Sequence, residues 1–105
     1  MKFNLVYVIA MVSGVALTPV AQAGDADAGE QAYLVKGCIG CHGPHGKSSN
    51  SEIYPTLAGK DDAYLVEQMK AFRDGSRNNP LMSPMSFGLT DDDIANLAAY
   101  LAAQK

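Results

Sequence analysis

The 105-residue chain has no tryptophan, only two cysteines and no excess of basic residues, with 8 Lys and Arg against 11 Asp and Glu and a formal net charge of −3. Two cysteines allow at most one disulfide, which excludes a disulfide-dense secreted scaffold. Without a basic footprint, phosphate-backbone binding to nucleic acid is disfavoured. Strand-like alternation is missing too, as are repeats, low-complexity tracts and any linker long enough to divide the chain, which leaves one small domain. Large apolar side chains are scarce where a fold would need them. Apolar residues fill 16 of the first 23 positions but only 34 of the remaining 82, and 11 of those 34 are alanine. Scaffolds of roughly 70 to 80 residues add a disulfide, a metal or a bound group when the core is too small. Something other than protein is expected to help fill this interior.

The first 23 residues follow a different rule. Lys2 opens them, an apolar run from Leu5 to Leu17 is broken only by Ser13 and Gly14, and Ala21-Gln22-Ala23 ends them. Basic start, apolar middle and small-x-small ending describe a cleaved secretory signal peptide. The apolar run of 13 residues is shorter than the roughly 18 or more needed to span a bilayer. Residues 1–23 are therefore expected to be removed, leaving 24–105 as the mature domain in the periplasm. Lys2 is the only charged residue lost, so 7 basic and 11 acidic side chains remain, a net charge of −4. That balance suggests a partner with a basic docking face, steered by the carboxylates Asp91 to Asp93.

Three helices can be read in the mature part. The first starts at Asp25 or Asp27, either a suitable N-cap, carries Gly29, Ala32, Tyr33 and Lys36 along one side, and stops at Gly37. The second spans Asp62 to Asp74, with Leu65, Met69 and Phe72 as its apolar stripe and Gly75 as its stop. Thr90 caps the third, whose first turn is Asp91, Asp92 and Asp93 and whose stripe is Ile94, Leu97, Ala98 and Leu101. Two Gly/Pro/Ser/Asn-rich stretches, Gly43 to Gly59 and Gly75 to Gly88, separate the last two helices from what precedes each. Loops of that length in so small a domain usually carry function.

Directly after the first helix stands Cys38-Ile39-Gly40-Cys41-His42, the Cys-x-x-Cys-His attachment signature of a c-type haem. One helical turn between the sulfurs lets both reach the porphyrin edge to form thioethers, while the adjacent His42 reaches the iron. Two other readings stay open. A zinc site would need a fourth ligand, and His45 is the only other histidine, too close in sequence for a separate half-site. A thioredoxin-like disulfide would need a strand leading into the motif, where a helix is expected instead.

A closed electron-transfer site needs a second axial ligand. Met69 belongs to the apolar stripe of the second helix and reads as core. His45 follows His42 by three residues and reads as an exposed loop histidine. Met82 and Met85 lie in Asn79-Pro80-Leu81-Met82-Ser83-Pro84-Met85, an irregular loop stiffened by two prolines and far enough along the chain to cover the opposite haem face.

Over nearly all of Gly24 to Lys105 the chain resembles the small class I cytochromes c, in particular the bacterial monohaem type whose domain also occurs in tandem in dihaem cytochromes. The matching pieces occur in family order: Gly29-x-x-x-Tyr33, Cys38 to His42, Tyr54-Pro55-Thr56-Leu57-Ala58-Gly59, Phe72-Arg73-Asp74-Gly75, the methionine loop and Leu97-Ala98-Ala99-Tyr100. The resemblance implies an all-α fold, three main helices and long loops wrapped around one haem c bound through Cys38 and Cys41. It implies that Gly29 lets the last helix cross closely, with Tyr33, Leu97 and Tyr100 around the crossing. It also implies that the Pro55 carbonyl accepts from the second ring nitrogen of His42 and that Leu57 lines the haem face. In relatives the ligand methionine precedes by seven positions the hydrophobic residue before the last cap. Leu89 then selects Met82, with His42 and Met82 as the metal ligands and Met85 as apolar filler. The function implied is a soluble, monomeric electron carrier cycling between ferric and ferrous iron, not an enzyme, meeting redox donors and acceptors through a small transient interface. The rival is an exported haem enzyme or gas sensor with a displaceable sixth ligand.

Overall fold

The computed structural model describes residues 24–105, so the leader expected at residues 1–23 lies outside the described residues. Five α-helices follow in order: α1 Ala26–Val35, α2 Cys38–His42, α3 Asp62–Asp74, α4 Met82–Phe87 and α5 Asp91–Ala102, with a single 3-10 turn at Pro44–Gly46 after α2. There is no strand among the described residues.

Local chemistry explains where the helices begin and end. Asp25 is the cap of α1, its carboxylate accepting from the amides of Asp27 and Ala28 at 2.9 and 3.2 Å. Asp61 caps α3 through the Tyr64 amide. At the start of α5, Thr90 and Asp93 exchange side-chain-to-amide bonds of 3.0 Å in a reciprocal capping box, which satisfies two amides that no helical carbonyl can reach. Both α1 and α3 stop just before a glycine with positive φ, Gly37 and Gly75.

The frame is the crossing of α1 over α5. A methyl group on Gly29 would sit 1.9 Å from the Asn96 carbonyl oxygen and 2.8 Å from the Tyr100 Cβ, so only a residue without a side chain permits this approach. The rings of Tyr33 and Tyr100 pack beside it, centroids 5.4 Å apart and tilted by 52°, in the range favoured by aromatic pairs. Tyr33, Leu97, Ala98, Tyr100 and Leu101 form the buried core together with Leu65 from α3. Polar ties lock the same crossing: the Asp25 amide donates to Asn96 Oδ1 at 2.8 Å, and Lys36 pairs with Asp93 at 3.5 Å.

Two expected loops are more ordered than their composition suggests. The stretch from Gly43 to Gly59 folds back on itself, the Leu57 and Ala58 amides both donating to the Gly46 carbonyl, and is pinned to α5 by the Gly59 amide on the Leu101 carbonyl. Gly46 has φ 74°, and a Cβ there would meet Leu101 at 2.6 Å. The second stretch is not an irregular loop throughout, because Met82–Phe87 forms α4. Pro84 stands third in that helix, inside the first turn, where a proline's missing amide is tolerated. Asn79 starts the helix by accepting from the amides of Leu81 and Met82, both at 2.9 Å.

Candidate haem site

Helix α2 is one turn long, and it carries both cysteines and His42. Neither cysteine is in a disulfide; Cys38 is half-buried and Cys41 exposed. Burial pushes the Cys38 thiol above its ordinary pKa. His42 is only 6% exposed. Its Nδ1 lies 2.8 Å from the carbonyl oxygen of Pro55, and since a carbonyl can only accept, Nδ1 donates. That bond selects one tautomer and leaves the lone pair on Nε2 available to a metal. The Tyr33 hydroxyl donates to the Gly43 carbonyl just beyond the motif, so the core crossing and the end of α2 are tied together.

These residues open onto a cavity of about 630 Å³, within the range of cofactor and ligand sites. Cys38, Cys41, His42, Pro55, Leu57 and Met82 all line it, so every site residue expected from the sequence is brought to one place. The two other methionines of the described residues, Met69 and Met85, line it as well. Met85 is 49% exposed, whereas Met82 is half-buried at the start of α4. His45 is exposed, with its Nδ1 3.4 Å from the Tyr100 hydroxyl, and takes no part in the cavity.

The apolar stripe of α3 has a double use. Leu65, Met69 and Phe72 all face the cavity, although Leu65 also joins the protein core. The Arg77 guanidinium, which also lines the cavity, stacks on the Phe72 ring, 4.5 Å from its centre. Sequence periodicity identifies such a stripe but not what covers it. Ser86, which no sequence motif singles out, is fully buried in the cavity wall, and its hydroxyl is the one buried side-chain polar atom without a partner among the described residues. A buried hydroxyl left unpaired costs about 1 to 3 kcal/mol.

The charges correct one expectation. Asp91 to Asp93 lie away from the cavity, and two of the three are engaged elsewhere. Asp91 pairs with Arg73 at 2.6 Å, which holds its carboxyl below the usual range, and Asp93 is held low by the Thr90 amide of the capping box. None of the three lines the cavity. The ionisable chains along its walls, apart from the motif and three tyrosines, are Lys36, Lys60 and Arg77, with no carboxylate among them. The cavity is lined by cations on a molecule whose overall charge is negative; of the three carboxylates of α5 only Asp93 serves the helix cap, and it also pairs with Lys36, one of those cations.

The fit to a haem can be judged from these walls. Two free thiols one turn apart, an imidazole whose outer nitrogen is already satisfied and a largely apolar cavity with a thioether at its edge match the attachment and ligation that haem c requires. The other readings do not fit: no group of three or more His, Cys, Asp or Glu side chains among the described residues is placed to hold a metal ion, and no strand leads into the motif.

Comparison with known proteins agrees. The chain is 46% identical over 86 residues to cytochrome c-554(548) of Halomonas halodenitrificans, covering 79% of this chain and 100% of that protein. It is 34% identical over 102 residues to the thiosulfate dehydrogenase electron acceptor of Stutzerimonas stutzeri, covering 90% of this chain and 46% of that one. The crystal structure of reduced recombinant cytochrome c4 from Pseudomonas stutzeri superposes with a TM-score of 0.69 at 31% identity, over 76% of this chain and 48% of that one. The chain thus spans the whole of the first relative and about half the length of the other two. With the Cytochrome c family model matching residues 26–105, the chain belongs to the cytochrome c family, an electron carrier with one covalently held haem c.

Proposed function

We propose that the mature domain is an exported, periplasmic one-electron carrier in which His42 and Met82 would hold the haem iron and no substrate would bind at the metal. The observation that carries this reading is the single cavity onto which Cys38, Cys41, His42 and Met82 all open. When bound, the haem supplies reversible one-electron chemistry, and thioether ligation favours its ferrous state and raises the potential. Cys38 and Cys41 hold it covalently. Pro55 fixes the imidazole, so the ligand does not reorient between oxidation states. Leu57, Leu65 and Phe72 exclude water from the cavity walls, which keeps the surroundings of the metal apolar in both states. A full complement of two protein ligands leaves no position for a substrate or gas, which disfavours the enzyme and sensor readings.

Export rests on the leader pattern of residues 1–23. No helix among the described residues is long and apolar enough to cross a membrane. Electron exchange is assigned to the cavity mouth, where Ile53, Leu81 and Met85 are exposed beside Lys36, Lys60 and Arg77. An apolar centre with a cationic rim suits brief docking on a redox protein with an acidic rim. Such a partner reverses the charge expected from composition alone. One relative is named as an electron acceptor of thiosulfate dehydrogenase, and a dehydrogenase of that kind is one candidate donor.

Replacing Met82 and Met85 separately by alanine tests the ligand assignment. Met82→Ala is expected to lose the weak near-infrared sulfur-to-iron band of the ferric protein, lower the reduction potential and open the iron to carbon monoxide. Met85→Ala keeps the band. Persistence of the band in Met82→Ala with its loss in Met85→Ala reverses the assignment, and persistence in both moves it to Met69.

A further inference from the structure

Ser86 is 0% exposed, and its Oγ has no hydrogen-bond partner, alone among the buried side-chain polar atoms of the described residues. Buried polar groups are rarely left so, and an exception in a cofactor site points to a partner that arrives with the cofactor. Its neighbours narrow the choice. Ser83, on the same short helix, already accepts from the Asn79 amide. On α3, which packs against α4, Gln68 already accepts from Arg77, and Tyr64 is exposed. Ser86 follows Met82 by four residues in α4, so the two share one helix face, and both belong to the cavity wall. A thioether sulfur can only accept a hydrogen bond, and a hydroxyl can donate one.

We propose that Ser86 is a positioning residue for the methionine ligand, its hydroxyl donating a hydrogen bond to the Met82 sulfur once the haem is in place. This rests on Met82 being the sixth ligand. The bond holds the thioether in one rotamer. It also draws electron density from the sulfur, which disfavours ferric iron more than ferrous iron and so raises the potential.

The test uses the haem-loaded protein and reads the midpoint potential and the ferric near-infrared band rather than electron-transfer activity. Ser86→Ala removes one buried oxygen and requires no repacking. It is expected to shift the equilibrium toward ferric iron several-fold, up to about tenfold or ~59 mV for one electron, and to displace the band. Ser86→Thr retains the hydroxyl and recovers most of the shift. Ser83→Ala, which removes a hydroxyl from the same helix, leaves the potential at the wild-type value. In a Met82→Ala background Ser86→Ala has no further effect, because the acceptor is gone. An unchanged potential and band in Ser86→Ala overturn the proposal while leaving Met82 as ligand. An equal fall in the Met82→Ala background overturns it by assigning the hydroxyl another acceptor. Retention of the band in Met82→Ala defeats the ligand assignment itself, and this inference with it.

Discussion

Tyr33 joins the core to the site, since its ring packs on Tyr100 and its hydroxyl donates to the Gly43 carbonyl just past His42. Burial pushes its pKa up to about 12 from 10.0. Folding therefore favours the protonated phenol. That contribution is fully present below pH 10.0 and is lost as pH rises towards 12, because the unfolded chain releases the proton first. Tyr33→Phe is expected to be less stable at neutral pH, having lost the bond to Gly43, yet to lose less stability between pH 10 and 12. Denaturant titrations of both proteins across that range, followed by far-ultraviolet circular dichroism, check this; parallel losses in the two proteins contradict it. At this scale the Cys-x-x-Cys-His motif is legible from the sequence outright, because its spacing is its chemistry. Pro55 is not legible in the same way. What it contributes is a backbone carbonyl, which any residue has, and only resemblance to a family singles out its position.

The helices differ in how much of their ordering they carry locally. Helix α5 announces itself with Thr90, three acidic residues and an unbroken apolar stripe, and each of these signals acts in the structure. Thr90→Ala removes one half of the capping box and is expected to cost about 1 kcal/mol, within a range of about 0.5 to 2. The midpoint of chemical unfolding of the haem-loaded protein measures it, and a change well below that range means the α1 crossing alone holds the helix end. Helix α4 is the counter-example. Its six residues include a proline, and its first amides are satisfied by an asparagine several positions upstream. Propensity and periodicity have too little to act on over so short a segment. The stripe of α3 was legible as buried but not as facing a cofactor, since a porphyrin and a leucine cover an apolar side chain equally well.

For the whole molecule, composition misleads about charge. A net charge of −4 over residues 24–105 says nothing about which face surrounds the cavity, and there the fixed charges are Lys36, Lys60 and Arg77. Electron transfer with an acidic partner is expected to slow as salt rises, because exposed charges are screened over roughly 8 to 10 Å at ordinary ionic strength. Lys60→Glu should slow it further at low salt and by much less at high salt, whereas Asp92→Asn, away from the cavity, should leave the stopped-flow rate unchanged. A faster rate in Lys60→Glu restores the basic-partner expectation. The crossing of α1 over α5 also governs chain topology. Asp25 and Asn96, which meet there, are 71 residues apart, and all of the cavity walls except Leu97 and Leu101 belong to the segment between them. The first and last helices act as a clasp on a long loop, whose closure carries an entropic cost that their packing offsets. A cut in the exposed stretch between Ser49 and Ile53 leaves each fragment with one arm of that clasp. The two halves, one with the attachment motif and the other with Met82, therefore carry the surface needed to find each other and rebuild the site without a continuous backbone.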